Sequence, residues 1–146
     1  MMLIKIIEKG EDIVTINDLI NYVEDNPKID HCGAIFTFQG IVRSNEKDKK
    51  IKKLDLSTPN TKKTEKELET IIKKIKNKYK IIDVAVVHYV GEFYVGDPLF
   101  LVAVAGSHRQ ETREALNEII EKTKHDLDFK KEEYTDSGKN IIMSGG

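Results

Sequence analysis

Residues 99–120 read LFLVAVAGSHRQETREALNEII. Leu99 to Ala105 run without a polar side chain, which marks a strand covered on both faces rather than one with a wet side. Gly106 and Ser107 form a small-residue turn. Beyond it, apolar positions recur at helical spacing at Ala115, Leu116, Ile119 and Ile120, and Thr123 extends the stripe. Ser107, with Gln110 three positions on, has the form of a capping box that opens this helix. A buried strand feeding a helix through a tight turn points to helices laid on a sheet.

The flanking sequence extends that pattern. Ile81–Tyr89 (IIDVAVVHY) and Cys32–Val42 (CGAIFTFQGIV) are β-branched and aromatic, and both read as strands, the second buried and bracketed by Gly33 and Gly40. Met2–Glu8 and Ile51–Leu56 are further strands, and Phe129–Tyr134 and Asn140–Met143 are short extended pieces. Thr15 with Asp18 predicts a capped helix whose inner face is Ile16, Leu19, Ile20 and Val23. Thr64-Glu65-Lys66-Glu67 predicts a second, with Leu68, Ile71, Ile72, Ile75 and Tyr79 inward. Gly91–Pro98 holds turn chemistry, and Arg43–Lys50 reads as a mobile polar loop. The expected class is α+β, with helices packed on a mixed or antiparallel sheet and residues 1–146 forming a single domain.

With 39% hydrophobic and 34% charged residues, the composition is that of a globular domain. No apolar run approaches the ~20 residues of a membrane span, and the N-terminal stretch lacks the pattern of a signal peptide. A single cysteine, Cys32, excludes an internal disulfide framework and a cysteine-built zinc site. A cytoplasmic protein without membrane attachment is expected. The net charge of −1 argues against a dedicated nucleic-acid binder. Lys47–Lys80 nevertheless holds thirteen lysines against five acids, a local net of +8, which leaves −9 for the rest of the chain. Such asymmetry fits either a solvated helix face or an anionic partner. Basic grooves for single strands interleave aromatics with the charge, and this stretch offers only Tyr79.

Only Arg43, Arg109 and Arg113 among the twenty-four cations are arginine. In a chain that uses lysine for generic charge, arginine marks places where a planar two-pronged donor is useful. Arg109 falls in the first turn of a helix, where the dipole disfavours a cation unless an anion neutralises it. With His108 beside it, this is either a phosphate or carboxylate seat or a pair of surface residues. Arg43 ends a strand beside a loop, where sites gather. Lys124 lies at the border of the buried helix face, four residues after Ile120, as either a snorkelling lysine or a partly desolvated catalytic amine. Strand alternation places Lys131 and Glu133 on one face with Phe129, an unusual company for a lysine. His31, His88 and His125 show no metal-ligand spacing, so no metal is expected, and there is no phosphate-binding loop or nucleophile elbow.

In order along the chain, GAIFTFQGIVR (33–43), TEKEL (64–68), VVHYVGEFYVGD (86–97), SHR (107–109), and a helix-terminal lysine followed seven residues later by KxE and then TDSG (135–138) resemble the large, catalytic subunit of molybdopterin synthase. The resemblance implies a hammerhead-type α/β domain that forms a central homodimer, with a small ubiquitin-like sulfur carrier bound at each outer end to make a heterotetramer. It implies sulfur transfer from the carrier's C-terminal Gly-Gly thiocarboxylate to cyclic pyranopterin monophosphate, yielding the dithiolene of molybdopterin, with no further cofactor. By the same resemblance, Ile41, Val42, Arg43, His108, Arg109, Lys124, Lys131, Glu132 and Glu133 fall at substrate positions, with Lys124 and Lys131 catalytic. Lys130 stands where the family usually has an aromatic, and Asp128 where it usually has proline. A diverged, non-catalytic paralogue and a lysine-rich binding module are the alternative readings. The chain also ends Gly145-Gly146, which is the carrier's hallmark; the ending reads as a coincidence or as a tail that mimics the partner.

Overall fold

The apolar run at 99–105 becomes a strand, Pro98–Gly106, in which every residue from Phe100 onward is buried. The computed structural model describes residues 2–46 and 49–143. Among them the order is β1 (Met2–Glu8), α1 (Ile16–Glu24), β2 (Ala34–Ile41), β3 (Asn45–Glu46), β4 (Lys49–Ser57), α2 (Thr61–Tyr79), β5 (Asp83–Phe93), β6 (Pro98–Gly106), α3 (Arg109–His125), β7 (Lys130–Thr135) and β8 (Gly138–Met143). The sheet runs β2-β6-β5-β4-β7-β8, with β1 beside β5 and β3 folded back on β4. Only β1 and β5 are parallel, so the sheet is mixed and the class is α+β, as the sequence implies.

β5 is the spine. Val84–Val90 pair with β1, and Gly91–Phe93 then pair with β4. Gly91 marks the exchange at φ 129°, a backbone conformation that side chains rarely tolerate. The strand thus belongs to two half-sheets, one with β1, β6 and β2 and the other with β4, β7 and β8. Helix α3 packs on β2 and β6, and α1 on β6 and β5. The approach of α3 is close: a Cβ at Gly106 would stand 2.2 Å from the Thr112 hydroxyl.

Helix starts divide by what their caps find. Thr15 accepts from the Asp18 amide at 3.2 Å while the Asp18 carboxylate accepts from the Thr15 amide at 2.8 Å, the expected box. The box expected at Thr64 does not form. The helix begins at Thr61, capped by Asn60, whose side chain accepts from the Lys63 amide. Thr64 instead pairs with Thr58, and Glu65 reaches β1 to accept from the Ile6 amide at 2.8 Å. Ser107 does not cap α3 either; the cap is His108, whose side chain makes no capping bond. β2, expected to be buried, is an edge strand with alternating half-burial, because only β6 flanks it. Part of the expected loop at 43–50 is the β3–β4 hairpin. Residues 47 and 48 and the terminal Gly145-Gly146 lie outside the described residues. Among the described residues no helix is long and apolar enough to cross a membrane.

Candidate active site

A cavity of about 310 Å³ opens where the two half-sheets meet. Its walls are apolar: Phe38 from β2, Leu54 and Leu56 from β4, Phe100 from β6, and Phe129 just before β7. Arg43, Lys124, Lys131 and Glu133 contribute the charge. Three separate parts of the chain supply these groups, so the grouping is a product of the fold.

The end of β2 is re-aimed by an irregularity. The pairing with β6 slips between Gly40 and Ile41, so that Gly40 faces Phe100 but Ile41 faces Pro98. Val42 donates its amide to the Asp97 carbonyl at 3.0 Å and accepts from the Gly96 amide at 2.8 Å, clamping the strand end to the turn before β6. Ile41, Val42 and Arg43 all line the cavity; Val42 is buried, and Ile41 is half exposed.

In β7 the alternation sorts the charges as the sequence predicts. Lys131 and Glu133 face the cavity with Phe129, and their side chains form an ion pair at 3.3 Å, with the lysine 25% and the glutamate 3% exposed. Glu132 faces away. Its carboxylate pairs with Lys130 at 3.0 Å and Lys139 at 3.3 Å and accepts from the Tyr134 hydroxyl at 3.1 Å. Those partners, Lys130 foremost, hold it well below the usual carboxylate range. Glu132 therefore belongs to an outer-face network and does not line the cavity. Lys130 is part of that network too and does not line the cavity.

Lys124 enters the cavity from the last turn of α3 beside the fully buried Thr123. Among the described residues the Thr123 hydroxyl has no hydrogen-bond partner. His108 and Arg109 are exposed at the opposite end of the same helix. Fifteen helical residues at 1.5 Å each put Arg109 about 22 Å from Lys124. One copy of the chain thus brings six of the nine expected residues to the cavity and leaves His108, Arg109 and Glu132 outside.

The sequence reading passed over His88. The residue is 8% exposed, on β5, and lines the cavity. Its Nδ1 lies 2.9 Å from the Tyr89 carbonyl, an acceptor only, so Nδ1 carries the hydrogen and Nε2 keeps a lone pair. Phe129 stacks on the ring at 4.3 Å and Phe100 tilts against it at 4.9 Å. Burial pushes the imidazole down to about 4; the backbone bond opposes this, and the nearby Lys124 charge adds to it. No local signal marks it, because Asp83 in the same strand is equally ionisable and more deeply buried. Among the described residues no cluster of His, Cys, Asp and Glu could hold a metal ion.

The family described as MoaE protein matches residues 10–126. The molybdopterin synthase catalytic subunit of Dictyostelium discoideum is 32% identical over 137 residues, covering 92% of this chain and 84% of that protein. The molybdopterin synthase catalytic subunit of Pyrococcus abyssi is 30% identical over 136 residues, covering 93% and 88%. The solved structure of the molybdopterin biosynthesis MoaE protein from Burkholderia ambifaria MC40-6 matches with a TM-score of 0.80 at 28% identity, covering 100% of this chain and 92% of that one. Sequence and fold agree along nearly the whole chain, and the protein belongs to the MoaE family of molybdopterin synthase catalytic subunits.

Proposed function

We propose that the protein moves sulfur from the C-terminal thiocarboxylate of a small ubiquitin-like carrier onto cyclic pyranopterin monophosphate, building the dithiolene of molybdopterin. The observation that carries this reading is the meeting of Lys124 and Lys131, from α3 and β7, in one apolar-walled cavity. Apolar walls strengthen each charge inside once a bound carrier displaces the water. Lys124 has the freedom to bind the carrier's terminal glycine carbonyl and to move protons as sulfur leaves. Lys131 is oriented by Glu133. Arg43 offers a planar donor suited to a phosphate or carboxylate at the mouth. The chemistry suits a cytoplasmic setting.

His108 and Arg109 enter this scheme through a second copy. A homodimer that sets the α3 N-terminus of one chain against the cavity of the other gives the anionic end of the pterin its seat, at a helix start with free amides. The carriers then occupy the outer ends of a heterotetramer. Phe129 keeps an aromatic against the cavity, which favours a working enzyme over a paralogue that has lost turnover.

The deciding experiment is turnover of cyclic pyranopterin monophosphate by Lys124→Ala with a thiocarboxylated carrier, beside circular dichroism of the variant. We expect an intact fold and loss of activity by at least about a hundredfold. A folded variant with wild-type turnover overturns the reading.

A further inference from the structure

The cavity floor contains one ionisable ring for which sulfur transfer, as derived above, has no use. His88 has both ring faces occupied, by Phe129 at 4.3 Å and Phe100 at 4.9 Å. Its Nδ1 edge is tied to the Tyr89 carbonyl. The edge left to meet the cavity is the one bearing Nε2, an acceptor in this tautomer. The charged groups that share the cavity are Lys124 from α3, Lys131 and Glu133 from β7, and Arg43 after β2; β4 and β6 present only apolar side chains. Lys131 already has Glu133 as its partner. Lys124 is the cation whose charge His88 feels.

We propose that His88 is a positioning residue: when a bound carrier covers the mouth of the cavity, its Nε2 accepts a hydrogen bond from the Lys124 ammonium and holds that amine at the reacting carbonyl. The inference rests on the role given to Lys124 above. A lysine on four rotatable bonds loses much rotamer freedom when it is ordered, and a fixed acceptor in an apolar floor selects the inward rotamer. The bond is charge-assisted, which makes it strong where water is excluded. The aromatic sandwich keeps the imidazole in register for that role, and the backbone bond keeps Nε2 unprotonated as the acceptor.

Two substitutions separate this role from packing. His88→Phe keeps a ring between Phe129 and Phe100 but removes the acceptor. His88→Gln loses the ring but can place an amide oxygen near the Nε2 position. A packing role ranks Phe above Gln; an acceptor role ranks Gln above Phe. We expect His88→Phe to melt within a few degrees of the wild type, to lose kcat by about ten- to a hundredfold, and to keep KM within about twofold. His88→Gln should recover most of kcat despite a lower melting temperature. In parallel, the Lys124 Cε resonance of 13C-lysine-labelled protein in complex with the unmodified carrier, assigned with Lys124→Arg, should show an inflection near pH 4 in the wild type and none in His88→Phe. A kcat for His88→Phe equal to or above that of His88→Gln overturns the proposal, and so does a Lys124 resonance that ignores His88. The resonance reads the contact without turnover, so it stands apart from failure of the sulfur-transfer reading, which Lys124→Ala tests.

Discussion

Lys131→Met isolates the ion pair in the cavity wall. The substitution keeps most of the length of the side chain and removes its charge, leaving the Glu133 carboxylate, 3% exposed, without its partner at 3.3 Å. Breaking a fully buried pair costs about 3–5 kcal/mol. Here the Lys131 side chain is 25% exposed, and the cavity admits water to the stranded carboxylate. Halving the figure for that screening gives about 1.5–2.5 kcal/mol. For a chain of this size each kcal/mol moves the melting temperature by about 2–4 °C, so Lys131→Met should melt about 3–10 °C below the wild type. Adding Glu133→Leu removes the stranded charge and fills its place with apolar volume. The double variant should regain most or all of the loss yet remain inactive, because neither the amine nor its orienting carboxylate is present. Differential scanning calorimetry and carrier-dependent turnover read the two effects separately. A single variant that melts with the wild type, or a double variant that melts below the single, refutes the pairing argument.

Thr123→Val should raise the melting temperature by about 2–4 °C, since it exchanges an unpartnered buried hydroxyl for a methyl of the same shape at a gain of about 1 kcal/mol; a lower melting temperature in calorimetry would show that water satisfies the hydroxyl. Arg109→Ala should leave folding unchanged or slightly improved, because the helix dipole opposes a cation there by about 0.3–1 kcal/mol, while calorimetric titration of cyclic pyranopterin monophosphate shows about ten- to hundredfold weaker binding. If Arg109 serves the cavity of the second copy, refolding Lys124→Ala together with Arg109→Ala restores activity that neither has alone, since a mixed dimer holds one intact site. No recovery from a mixture that sediments as dimers would place the phosphate seat elsewhere.

The elements most legible in the sequence were those in which one physical signal dominates. The unbroken apolar run of β6 and the β-branched and aromatic run of β5 have no competing reading, and they form the buried centre. The parity of β7 likewise separates Lys131 and Glu133 from Glu132 without any structure. Where two signals compete, tertiary partners decide. Thr64 and Glu65 carry the letters of a capping box, but a threonine at 58 and an unpaired amide on β1 engage them first, and Asn60 takes the cap. The place of β2 at the sheet edge depends on strand order, which no local pattern encodes. At the site, Arg43, Lys124 and Lys131 could be singled out because their residue types sit poorly where the pattern puts them. His88 could not, because its neighbours Phe100 and Phe129 are distant in sequence and its value depends on which ring edge they leave open. The separation of Arg109 from Lys124 was present all along in the length of the helix that joins them.

The parallel pairing of β1 with β5 has a consequence for how the chain is made. Met2–Glu8 leaves the ribosome some eighty residues before its partner Val84–Val90. At about 5–20 residues per second that interval lasts about 4–16 s. During it, an isoleucine-rich strand destined for burial is an open template for pairing with any other nascent chain. Lys5 and Glu8, both exposed in the finished sheet, are the charges that stand between that segment and aggregation. Replacing them with apolar residues would leave the native sheet nearly untouched while lowering the yield of folded protein during synthesis, a defect invisible to any measurement on the purified enzyme.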